Sequence, residues 1–348
     1  MLRRRRSPGN WRALVAVAAL AVAVPACATA PAVDGPAAPA ATAAADPPRR
    51  PGFPLLFIAM PASGPFQATR HGLVSEIERS FDITTFIVTA QTTEKDLAVA
   101  LDRAAPACVV LMNNTSVKLY RDYQQAHRGY PMRPAVVVMT SFLEDLRSDL
   151  ENATGISYEV PGVTAFVALR SIIQAPVSRV GVIYPRHAVG FIERQKQLAA
   201  KEGVALLPAE VSPEPTAQEI KGAFARLKSD RVDALWVLND NRLLRDSAFL
   251  NEAWRPGIDS LAVPVIVGAE PLLKSVPIGT FAVLPDHLGL GTQAANLILD
   301  LSDSGWRAGQ HPVELPLSTT NALNVARARD HFGLREGALD RIDQVVGK

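Results

Sequence analysis

Nine short apolar runs, separated by amphipathic stretches, constrain this chain more than any other feature. They cover residues 55–60, 84–88, 108–112, 136–139, 180–184, 205–207, 234–238, 263–267 and 281–284. They are rich in Val, Ile and Leu and do not alternate with polar residues, as expected of strands covered on both faces. Between them, Leu73, Ile77 and Phe81 recur at helical spacing, and Phe191, Gln195, Leu198 and Ala199 form a second stripe. Thr216-Ala217-Gln218-Glu219 is a capping box opening a helix that carries Ile220, Phe224 and Leu227. Strand–helix alternation predicts parallel sheets with helices on both sides. Four runs precede Gly155 and five follow it. The folded part, from Phe53 to Lys348, is long for one core, so two similar α/β lobes are expected.

The start of the chain predicts export. Four arginines at 3–6 precede an apolar stretch from Ala13 to Val24, then Val24-Pro25-Ala26-Cys27. A basic start, an apolar middle and a small residue before the cut describe a secretory signal. A cysteine directly after the small residue makes it a lipoprotein signal over residues 1–26, with Cys27 as the acylated residue. The apolar stretch falls short of the roughly 20 residues a spanning helix needs. The expected location is therefore periplasmic or cell-surface, with a membrane anchor through Cys27. Ala28 is not an acidic retention signal, so an outer-membrane destination is permitted. Residues 27–52 are rich in alanine and proline and read as an extended tether.

Charge and cysteine content narrow the partners. The whole chain has 36 Lys and Arg against 34 Asp and Glu, and without residues 1–26 the balance is 31 against 34. No basic field remains to draw nucleic acid. Two cysteines cannot form a structural zinc site by themselves, and Cys108 sits in an apolar run as a small buried hydrophobe. No His-Glu-x-x-His, phosphate loop or Gly-x-Ser-x-Gly elbow occurs. Gly289-Leu290-Gly291-Thr292-Gln293-Ala294 fits a loose dinucleotide pattern but lacks the acid expected about 20 residues on, so it reads as helix–sheet packing. The chain is accordingly expected to be no enzyme, with no catalytic residue, metal or cofactor.

In parallel sheets, ligands bind beyond the carboxyl ends of the strands. Polar residues collect there: Ser63 after the first run, Asn114, Thr115 and Ser116 after the third, and Thr140 after the fourth. Ser157 lies at the crossing between lobes, and Tyr184, Asp240 and Glu270 follow in the second series. These nine are the candidate ligand-binding residues, although helix capping alone also favours Asn, Ser, Thr and Asp at such places. Asp240 suits an ammonium group, and backbone N–H groups near Thr115 and Ser116 suit a carboxylate. Tyr184 and Phe66 are placed to stack on a ligand, while Trp236 and Trp254 read as core.

Several segments resemble the ABC-transporter substrate-binding proteins whose better-known members carry aromatic amino acids. Ala153-Thr154-Gly155-Ile156-Ser157 is similar to that family's crossing segment, and Arg179-Val180-Gly181-Val182-Ile183-Tyr184 to its first second-lobe strand. Asp233-Ala234-Leu235-Trp236-Val237-Leu238-Asn239-Asp240 is similar to its strand ending in aspartate. Asp286-His287-Leu288-Gly289 and Asn321-Ala322-Leu323-Asn324 resemble its return and closing segments. The resemblance implies a type I periplasmic-binding-protein fold: two Rossmann-like lobes joined by a three-crossing hinge near Ser157, residues 284–285 and Pro312. Residues 53–157 and 286–311 would form the N-terminal lobe, and 158–285 and 312–348 the C-terminal lobe. It further implies a small-molecule solute, an amino acid or related amphipathic molecule, passed to ABC permease and ATPase subunits in separate chains. This chain departs from the family at Asn114-Thr115-Ser116, at Pro185-Arg186-His187 and at Tyr158-Glu159, so a tryptophan-like ligand does not follow. Those departures leave a sensory lipoprotein, signalling to a membrane receptor kinase, as the alternative.

Overall fold

The computed structural model describes residues 49–347. The expected signal, the lipidation site Cys27 and nearly all of the tether lie outside the described residues. The first sheet holds β1 (Leu55–Met60), β2 (Asp82–Ile87), β3 (Cys108–Met112), β4 (Ala135–Val138) and β5 (Ala153–Gly155). Its helices are α1 (Gly64–Ile77), α2 (Glu94–Ala104), α3 (Asn114–Ala126) and the short α4 (Leu143–Leu146). The strand order is β2-β1-β3-β4-β5, all parallel.

The reason for the unbroken apolar runs is visible in β1. Leu56, Ile58 and Met60 face one core cluster, while Leu55, Phe57 and Ala59 face another. Side chains alternate between the faces of a strand, and here both faces are buried. The second cluster is completed by Leu97 and Leu101 of α2 and Tyr120 of α3. Cys108 belongs to the first cluster, fully buried, and burial pushes its thiol up to about 12.

The second sheet holds β6 (Arg179–Pro185), β7 (Ala205–Val211), β8 (Ala234–Val237), β9 (Val265–Val267), β10 (Phe281–Pro285), β11 (Thr319–Asn324) and β12 (Gln344–Val346). It runs β12-β11-β10-β9-β8-β6-β7, with only the β10–β11 pair antiparallel. Helices α5 (Gly162–Ile172), α6 (Val189–Lys201), α7 (Ala217–Ser229), α8 (Ser247–Phe249), α9 (Arg255–Leu261), α10 (Pro271–Lys274) and α12 (Val325–Phe332) lie around it. The capping box at Thr216 forms as expected, its hydroxyl accepting from the Glu219 N–H while the Glu219 carboxylate accepts from the Thr216 N–H.

Some elements differ from the sequence reading. β7 runs to Val211 rather than ending at Leu207, because it is an edge strand, where alternating exposure and a proline at 208 are tolerated. Helix α1 stops at Ile77; Phe81 is buried beyond its end, just before β2. Strands β5, β11 and β12 carry little apolar signal, being short or polar, and were not among the nine runs.

The chain passes between the sheets three times: from β5 into α5, from β10 into α11 (His287–Asp303), and from residues 308–310 into β11. Helix α11 returns to the first sheet and packs on α1, where Leu290, Ala294, Ile298 and Leu301 join Leu73 and Ile77 in one cluster. Two glycines allow that approach. A methyl on Gly72 would stand 2.2 Å from the Leu288 carbonyl oxygen, and one on Gly291 only 2.0 Å from that of Thr69. Of the two glycines in the loose dinucleotide pattern, Gly291 therefore serves helix–helix packing rather than the helix–sheet packing expected, while Gly289 lies against Asp286 and Ser318.

One substitution tests this contact, and a second, remote from it, tests a glycine with no packing role. Gly291→Ala is expected to lower stability by about 1–3 kcal/mol through overpacking, read as a lower urea midpoint. Gly222→Ala, on the exposed face of α7 with open space around it, is expected to raise stability by about 0.5–1 kcal/mol.

Candidate ligand-binding cleft

The cleft is built where β4 ends. Beyond Val138 the chain leaves the sheet through Met139-Thr140-Ser141-Phe142, and Met139 and Phe142 both take left-handed backbone, with φ of 55° and 57°. Side chains larger than glycine adopt this region at a cost of roughly 1–2 kcal/mol each, so the turn must be held from outside. Asn114 holds it: Nδ2 donates to the Ser141 carbonyl at 3.1 Å, and Oδ1 accepts from the Ser141 N–H at 3.1 Å. Asn114 is fixed in turn at the start of α3, where Asn113 accepts from the Ser116 N–H at 2.8 Å.

From this turn the N-terminal lobe reaches the C-terminal lobe. Ser141 Oγ donates to the Asn239 carbonyl at 3.2 Å, just past β8. The Phe142 N–H donates to Glu159 Oε1 at 3.0 Å. The Phe142 ring stands edge-on to Phe191 at 5.3 Å and to His187 at 6.2 Å between centroids. Phe142 is counted with the C-terminal lobe's core, the one residue of the N-terminal lobe in that cluster among the described residues. At the rim, Arg194 of α6 pairs with Glu144 at 2.8 Å and Asp145 at 3.0 Å of α4.

Beneath Phe142 lies a cavity of about 40 Å³ at the ends of β8 and β9. Tyr158, Glu159, Trp236, Asn239 and Gly268 are among its walls, which are mostly apolar. A single water needs about 10–15 Å³ on this measure, so the cavity has room for a few waters. Trp236 is wedged between Phe166 at 5.4 Å and Phe191 at 5.9 Å.

Glu159 is the only carboxylate of that lining. Burial of its carboxyl between the lobes pushes its pKa up to about 7, although the Phe142 N–H and the hydroxyls of Ser157 and Ser141 pull the other way. Some of its surface still meets solvent, but the acid group itself is enclosed. One residue before it, the Tyr158 hydroxyl meets His287 Nε2 at 3.2 Å, tying the first crossing to the second. The first and third crossings are tied by the Ser157 N–H on the Glu314 carbonyl at 2.8 Å and the Glu314 N–H on the Gly155 carbonyl at 2.9 Å.

The nine expected residues divide. Asn114, Thr140, Ser157 and Asp240 gather around the Ser141–Phe142 turn and its partners. Thr140 is fully buried, with its hydroxyl on the Val138 carbonyl. Asp240 is buried and committed: Oδ1 accepts from the N–H groups of Arg242 at 2.8 Å and Leu243 at 3.0 Å, and Oδ2 faces His187 Nε2 at 3.3 Å. The remaining five are placed elsewhere. Ser63 is exposed ahead of α1 and its side chain makes no cap. Thr115 is exposed, while the Ser116 hydroxyl turns inward to the Met112 carbonyl. The Tyr184 ring is buried in the C-terminal core, its hydroxyl on Glu210. Glu270 points to Lys274. Sequence reasoning passed over Phe142 and Glu159 as site residues. The departure from the family at Tyr158-Glu159 was the signal for Glu159; nothing local marked Phe142.

Among the described residues no group of three His, Cys, Asp or Glu side chains is placed to hold a metal ion, and no helix is long and apolar enough to cross a membrane. Glu159 gives a pH test. Between about pH 4.5 and 7 the native protein holds a proton that the unfolded chain has released. Stability from this group therefore falls as pH rises through that window. Glu159→Gln should remove this component: relative to wild type, its urea midpoint is expected to be higher at about pH 8 than at about pH 5.

No protein-family model and no curated protein matches the sequence. Solved structures match its fold. One is an ABC domain in complex with L-Trp from Streptococcus pneumonia, 17% identical, with a TM-score of 0.59 over 84% of this chain and 100% of that one. Another is the ligand-free, open structure of a substrate-binding protein with adhesive properties from Clostridium difficile, 17% identical, at 0.59 over 85% and 100%. A conserved domain protein from Vibrio cholerae is 18% identical, at 0.57 over 84% and 99%. The chain has the two-lobed α/β architecture of ABC-type solute-binding proteins, the type I periplasmic-binding-protein fold.

Proposed function

We propose that this protein is an exported solute-binding lipoprotein. Its two lobes hold a small solute at the strand ends and present it to an ABC importer whose permease and ATPase are separate chains. The observation that carries the reading is the cavity that Phe142, of the N-terminal lobe, closes over walls supplied by the crossing and the C-terminal lobe. A site made by both lobes couples occupancy to their closure, since the bound state is selected by contacts from each side. A neighbour of the same fold solved with L-Trp adds support for a small organic ligand.

The walls define the solute's chemistry. Trp236, Val267 and Ala165 favour an apolar arm, and Glu159 favours a hydrogen-bond donor or cation beside it. A small amphipathic amine, such as an amino acid, has both. The three crossings are the hinge in this reading, and Cys27 supplies the membrane anchor. Asp240 acts by holding the loop after β8, since its carboxylate is already occupied by two N–H groups and His187.

A thermal-shift screen of amino acids, nucleosides and small acids on the full-length protein in detergent tests the reading. At least one amphipathic amine is expected to raise Tm, and calorimetry on Glu159→Gln is then expected to show a loss of about 2–5 kcal/mol. A screen in which no compound shifts Tm would sink it.

A further inference from the structure

Phe142 already does in the cleft what a small amine with an apolar arm would do. Its N–H donates to Glu159 Oε1 at 3.0 Å, and its ring lies among Phe191, His187 and the cavity wall. It is an N-terminal-lobe residue seated in the C-terminal lobe's core. Its backbone is left-handed, as is that of Met139 three residues earlier. Strain of this kind persists only where the surroundings over-determine it. The fixings are Asn114 on Ser141, Ser141 on Asn239, and Arg194 on Glu144 and Asp145, each clear of the cavity lining except Asn239. With the ring in place the space is about 40 Å³, far below the roughly 300 Å³ at the low end of small-molecule sites.

We propose that Phe142 is an internal competitor for the solute site, displaced when a solute's donor takes its N–H position on Glu159 and the solute's apolar arm takes the place of its ring. The inference rests on the solute-binding reading above and adds a mode of regulation to it. Release of the left-handed turn offsets part of the work of moving segment 139–145. An occupant that carries only an apolar arm takes the Phe142 N–H from Glu159 Oε1 without replacing it, and one that carries only a cation leaves the aromatic pocket unfilled, so both features are selected together.

The test uses full-length protein in detergent with phenethylamine, which carries an ammonium and a phenyl group, and toluene, which carries no donor. Phe142→Ala is expected to bind phenethylamine at least tenfold tighter than wild type, and adding Glu159→Gln is expected to remove that gain while leaving toluene binding unchanged. Phe142→Leu should fall between wild type and Phe142→Ala. Equal or weaker phenethylamine binding by Phe142→Ala makes Phe142 a fixed wall and overturns the proposal, with solute binding intact. Binding of phenethylamine by none of these proteins overturns it as well, and the solute reading is then decided by its own screen. Should Phe142→Ala fail to fold, wild type carrying 4-fluorophenylalanine at position 142 gives a second readout. Its fluorine resonance is expected to gain a solvent isotope shift as phenethylamine saturates the protein; a resonance that stays buried throughout the titration counts against displacement.

Discussion

A parallel sheet buried on both faces needs two layers of helix, and that requirement organises the whole molecule. In the first sheet α2 and α3 supply one layer, but α1 alone does not complete the other. The missing cover is α11, which comes after five strands of the second sheet have been laid down. The chain must therefore return, and then leave again to place β11 and β12. Three crossings follow from the covering of one face. Gly72 and Gly291 matter because they let the returning helix come close enough to do it.

The cleft shows how two carboxylates a short distance apart in function are given different work by their surroundings. Asp240 lies just beyond β8, its carboxylate taken up by two N–H groups of its own loop and by His187, and so holds that loop in place. Glu159 lies on the crossing, enclosed by mostly apolar walls, with the Phe142 N–H on Oε1 and the Ser157 hydroxyl only at 3.4 Å from Oε2, and burial raises its proton affinity. The less satisfied acid is the one able to exchange its partner for another donor.

Legibility followed the physics. The central strands β1, β3, β6 and β8 could be read from the sequence because burial on both faces leaves an apolar run. Strand β11 could not, because only Ala322 and Leu323 of its six residues are buried. Asn114, Ser157 and Asp240, proposed from their place after strands by a rule of topology, lie about the Ser141–Phe142 turn and its partners. Ser63, Thr115 and Glu270 obeyed the same rule yet face outward, since the rule fixes an edge of the sheet and not a side-chain direction. Phe142 was missed for the opposite reason: an isolated phenylalanine after a strand looks like any core residue, and only the folded lobes reveal that the core it enters is the other lobe's.

The ties among the crossings carry a mechanical consequence. Tyr158 joins the first to the second through His287, and Ser157, Glu314 and Gly155 join the first to the third. Three separate ribbons would permit sliding, twisting and bending. Laced together, they resist shear and leave flexure about a shared line as the soft direction, so a perturbation at any single ribbon is felt by all three.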